Sequence, residues 1–124
     1  MKRIWYIILL MIIISSCYYD KEELLYPVTE NVCDTTNFTY GVKVSEIINS
    51  NCLACHGNSV YTIAGGGINL DGYSNLKAFV DNGKLIGSIN HEQGFSPMPK
   101  NGGKLSECDI SIIELWINSG SPDN

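Results

Sequence analysis

Arginine is almost missing from this chain. Arg3 is the only one, and eight Lys and Arg stand against thirteen Asp and Glu, a formal net charge of −5. A surface this poor in cations has little with which to neutralise phosphates, which argues against nucleic acid as a partner and against electrostatic binding to anionic headgroups. Histidine is limited to His56 and His91, and methionine to Met1, Met11 and Met98. Chemistry that needs an imidazole or a thioether therefore has very few places to sit. No internal repeat and no strand-rich stretch appears, so neither a solenoid nor an all-β fold is expected. The apolar run at 4–14 is short for a helix that spans a bilayer. Gly65-Gly66-Gly67 has no Lys-Ser/Thr pair behind it and no strand before it, which leaves a flexible loop rather than a phosphate cradle.

The N-terminus has the plan of an export signal: Lys2 and Arg3, the apolar run, then Ser15-Ser16 before Cys17. Ile14-Ser15-Ser16-Cys17 resembles a bacterial lipobox. That resemblance implies a signal peptide at 1–16 and a lipid anchor on Cys17, where several acyl chains would hold the protein stably to a membrane. An ordinary signal cleaved near Ser16, or an uncleaved anchor, is the alternative. Removing Lys2 and Arg3 takes the formal charge from −5 to −7. Residues 17–40, with Pro27 and a cluster of Thr, Asn and Asp, are expected to be a tether, and 41–124 a single small domain. Lys21-Glu22-Glu23 weakly resembles surface-export signals of lipoproteins. The expected location is the cell envelope outside the cytoplasm, on the periplasmic or the cell-surface face.

The densest chemistry lies at Cys52-Leu53-Ala54-Cys55-His56. C-x-x-C alone fits a redox dithiol, half a zinc site or a haem anchor. The added His56 turns it into the attachment pattern of a c-type haem. Two thiols three positions apart can each form a thioether to one vinyl group, and the next residue is then held where its imidazole binds the iron. A thiol oxidoreductase would need a βαβ pattern around the motif, and a zinc site a second clustered pair of ligands. The sequence shows neither. With Cys17 given to lipid and Cys52 and Cys55 to haem, Cys33 and Cys108 remain of the five cysteines. Outside the cytoplasm such a leftover pair is expected to form a disulfide, the alternative being two buried thiols.

The periodicity around the motif is helical. Val44, Ile47 and Ile48 share one face of a helix that starts near Val42 and runs into the motif. A second helix is expected over 73–82, with Leu76, Phe79 and Val80 inward and Asn82-Gly83 as its stop. The stretch 85–89 is short and apolar. A last helix starts at an N-cap Ser106, carries Ile110, Ile113, Trp116 and Ile117 on its apolar face, and stops at Gly120 and Pro122. The fold class read from this is all-α, three to four helices wrapped around a cofactor.

A second axial ligand is sought among two residues. Met98 follows His56 by 42 positions and sits in Ser96-Pro97-Met98-Pro99, where two prolines restrict the backbone. His91 is the other histidine, and an open site is the third possibility. Context favours Met98, whose soft thioether would stabilise Fe(II) and raise the potential. The helix before the motif, the Ser-Pro-Met-Pro loop and the terminal helix bearing Trp116 together resemble small class I cytochrome c domains over residues 42–122, and most of all lipoprotein cytochromes of Bacteroidetes. The resemblance implies one covalent haem c on Cys52 and Cys55, iron held by His56 and Met98, and first and last helices that cross, with Val44 or Ile48 meeting Leu115 or Trp116. It implies a membrane-tethered electron carrier serving redox partner proteins, not an enzyme. A haem-based ligand-binding or sensor module is the other reading, and it requires a labile distal site.

Overall fold

A computed structural model describes residues 33–100 and 102–124. The expected signal peptide 1–16, the anchor Cys17 and the tether as far as residue 32 lie outside the described residues. The unit Cys33–Asn124 is all helix and loop, with no strand among the described residues. A π-helical turn, Tyr40–Val44, leads into α1, Ser45–Asn51; α2, Leu53–His56, is a single turn; α3 is Tyr73–Asp81, α4 Lys84–Ile89 and α5 Glu107–Asn118. No described helix is long and apolar enough to cross a membrane.

The helix expected to run unbroken into the motif is interrupted at Cys52, where φ is −119°. Two polar side chains at the end of α1 fold back on the preceding turn: Ser50 Oγ donates to Glu46 O at 2.9 Å and Asn51 Nδ2 to Ile47 O at 2.9 Å. Such back-bonding competes with the regular ladder and bends helices. The apolar face of this segment, Val44, Ile47 and Ile48, is buried as its spacing requires.

Helix α3 buries Leu76 and Val80. It ends at Asn82, and Gly83 turns the chain in the left-handed region at φ 71°, a conformation costly for other residues. The apolar stretch 85–89 then closes into α4 and buries Leu85, Gly87 and Ile89. In α5 the Ser106 hydroxyl accepts from Asp109 N at 3.0 Å, and Glu107 and Asp109 sit in the first turn, where the helix dipole favours negative charge. Its buried stripe is turned relative to the expected one: Ile112, which lines a cleft with Ile47 and Cys108, is buried with Ile110, Ile113 and Trp116, and Ile117 is half-buried.

Trp116, Leu76, Ile89, Ile113 and Val44 are the largest side chains with essentially no exposure. The first turn, which holds Val44, does pack on the last helix, and Val44 and Trp116 are buried in the same core. The Tyr40 ring lies 5.8 Å from Trp116 and 5.2 Å from Tyr73, while Leu115 is 38% exposed. The C-terminal segment ties this corner together. Trp116 Nε1 donates to Pro122 O at 2.9 Å, Tyr73 Oη to Ser121 O at 2.9 Å, and Gly41 N to Asn124 O at 2.7 Å. A disulfide joins Cys33 to Cys108 across 75 residues. Closing a loop of that length stabilises the fold by roughly 4 kcal/mol in the chain-entropy account.

Candidate functional site

Three of the four expected cofactor residues lie together on one short element. Cys52 caps α2, and Cys55 and His56 end it. Both cysteines are free, Cys52 half-buried and Cys55 exposed. Burial pushes the Cys52 thiol up to about 11, so it keeps its proton at neutral pH. The His56 ring is oriented: its Nδ1 lies 2.9 Å from Ile68 O. A carbonyl oxygen only accepts, so Nδ1 carries the proton and Nε2 presents a lone pair. Metal-binding histidines are commonly held in this way.

The glycine run makes that hydrogen bond possible. Residues 65–67 were expected to form a flexible loop, and they form an ordered turn. Gly66 and Gly67 take φ of 61° and 81°, Gly67 N donates to Tyr61 O at 2.9 Å, and Ile68 N donates to Gly65 O at 3.1 Å. Ile68 O is thereby delivered to His56. Gly65 itself is pressed against the motif: a Cβ there would meet Cys55 O at 2.6 Å and His56 Nδ1 at 3.0 Å. Leu70 N then donates to His56 O at 2.9 Å and closes the segment. Gly65 and Ile68 are the residues that sequence reasoning missed. Their signal was a triple glycine shortly after the motif.

Met98 is held by a different network. Its N–H donates to Ser88 O at 3.0 Å, at the end of α4, and its own carbonyl lies 3.0 Å from His91 Nε2. Ser88 O also receives His91 N at 3.3 Å, so both ends of the loop are pinned to one acceptor. His91 stands in the left-handed region at φ 58°. Inside the loop Phe95 covers Gly87, where a Cβ would come within 2.6 Å of the ring. Helix α4 is joined to α5 through Asn90 Nδ2, which donates to Glu114 Oε1 at 3.0 Å.

The motif's own segment carries no fixed charge, and the first carboxylate after it, Asp71, accepts from Asn58 N at 3.4 Å. No Asp, Glu, Lys or Arg occurs from 47 to 70, in a chain with thirteen acidic residues. Ile63, in the middle of this stretch, is 87% exposed. Two open surface clefts are present, and the second reaches the motif at Leu53. One is bordered by Asp34, Lys43, Glu46 and Asp109, the other by Tyr40, Asn49, Leu53 and Asp71. Among the described residues no group of three or more His, Cys, Asp and Glu side chains forms a metal cage.

The donor types are those a covalent haem would use: two unpaired thiols on one helical turn, an imidazole whose Nδ1 is occupied by Ile68 O, and a thioether in a separate pinned loop. Compared with known proteins, the chain matches no family model, no curated protein and no solved structure.

Proposed function

We propose that this protein is a monohaem c-type cytochrome that carries single electrons at a membrane surface outside the cytoplasm, with a small helical cytochrome c-like domain built around the haem. The observation that carries the reading is the oriented His56 ring beside two free cysteines at thioether spacing. Haem, when bound, supplies an iron that cycles between Fe(III) and Fe(II).

The chain's own residues do the rest. Each thiol of Cys52 and Cys55 would add across a vinyl group of the haem: a carbon–sulfur bond would form, the thiol proton would go to the neighbouring carbon, and no oxidant would be consumed. His56 would offer Nε2 to the iron while Ile68 O holds its other nitrogen, which fixes the ring and would strengthen it as a ligand. Met98 would offer its thioether sulfur as the other protein ligand, a soft donor that favours Fe(II). A lipid on Cys17 would confine the carrier to a surface, and its redox partners would be met through small, weak interfaces.

The raised Cys52 thiol speaks against the rival reading as a thiol oxidoreductase. Reactive C-x-x-C pairs depend on a thiolate formed at lowered pKa, and this cysteine is pushed the opposite way.

The test is the visible spectrum of protein made with a haem-attachment system, oxidised and then reduced. Low-spin bands with a methionine–iron charge-transfer band in the oxidised form are expected. Met98→Ala is expected to keep the covalent haem, lose that band, gain carbon monoxide binding and lower the potential. High-spin bands in the parent would instead favour the ligand-binding or sensor module, and absence of covalent haem would return Cys52 and Cys55 to thiol chemistry.

A further inference from the structure

We infer that His91 is the positioning residue for Met98, a clasp that holds the distal loop in its ligating shape. The inference rests on the haem reading above and adds to it the residue that sets distal access. Its ground is the geometry of residues 88–98. His91 Nε2 reaches Met98 O at 3.0 Å, and because a carbonyl can only accept, Nε2 is the donor and its lone pair is unavailable to a metal while the bond stands. The backbone of His91 is held at φ 58°, an arrangement uncommon for a side-chain-bearing residue and one that histidine, asparagine and aspartate adopt more readily than most. Ser88 O takes both His91 N and Met98 N, so the loop leaves and returns to one point at the end of α4. The imidazole then spans from one end of this loop to the other, and Phe95 fills the space over Gly87 between them. The backbone on both sides of Met98 Cα is thereby fixed, on the amide side by Ser88 and on the carbonyl side by His91. With the clasp broken, only the Ser88 bond and the proline restraints hold the methionine, and the loop opens more often.

The closing experiment uses the full chain with haem attached and compares His91→Asn with His91→Gln. Asparagine tolerates the left-handed backbone but its amide is too short to reach Met98 O, whereas glutamine extends an N–H donor further. Two quantities are read: the apparent affinity of the oxidised iron for added imidazole, and the hydrogen-exchange rate of the Met98 amide. A ligand that binds only the opened loop gains affinity in proportion to the opened fraction. Loss of one ordinary hydrogen bond predicts a rise of about fivefold in both quantities for H91N, with H91Q within about twofold of the parent. His91 is exposed, so both variants are expected to fold, and equal thermal midpoints check this. An H91N protein indistinguishable from the parent overturns the clasp and leaves the haem reading standing. An H91Q protein as open as H91N overturns the hydrogen bond as its cause. A parent without covalent haem, or without the methionine–iron band, overturns the haem reading and the inference together.

Discussion

The segment from Cys52 to Leu70 and the loop from Ser88 to Pro99 are two ways of holding a side chain in place. The first is local. His56 is fixed by Ile68, twelve residues on, through a glycine turn that needs no other element. The second is borrowed. Met98 depends on the end of α4, which is itself tied to α5 through Asn90 and Glu114. A local network is specified by a few neighbouring residues and survives loss of distant packing. A borrowed one follows the stability of whatever it is pinned to.

The difference can be broken most completely from the proximal side. Replacing both Cys52 and Cys55 with alanine should abolish covalent haem, read as loss of the haem mass from the denatured protein. Retention of that mass would sink the attachment site. Cys33→Ser acts on both regions alike, since it opens a 75-residue loop that contains them. A loss of roughly 4 kcal/mol in denaturant unfolding is expected, with the spectrum of the folded protein unchanged. The comparison is sharpened by two glycines. Gly65→Ala sets a methyl group against the backbone oxygen of Cys55, which has no side-chain freedom to yield, and should cost about 3 kcal/mol and disturb the His56 ring. Gly87→Ala meets only the Phe95 ring, which can swing outward, and should cost about 1–2 kcal/mol. Its signature should be easier displacement of Met98 by imidazole with haem attachment intact. If Gly65→Ala loosened Met98 and Gly87→Ala did not, the assignment of one network to each side would be wrong.

How far the chain could be read in advance followed the same division. Helices α1, α3 and α5 were legible because their apolar residues recur at helical spacing, and Ser106 and Gly83 mark a start and a stop. The stretch 85–89 was too short to show a period, and it became α4 because Leu85 and Ile89 are both buried in the core. Ile112 could not be placed from the helix alone, since its burial depends on neighbours outside that helix. The triple glycine was visible, but its purpose was not. Its value lies in where Ile68 O ends up, and no pattern of residue types states that.

By itself the sequence determined an all-α chain with a C-x-x-C-H element, a methionine between two prolines, and helical segments before and after them. These rest on covalent spacing and on periodicity, which are properties of neighbours along the chain. Tertiary structure alone decided which nitrogen of His56 stays free, that His91 faces the Met98 carbonyl, and that Cys33 and Cys108 are brought within bonding distance. Each of those depends on where separate segments meet in space, and that is settled only when the whole core packs.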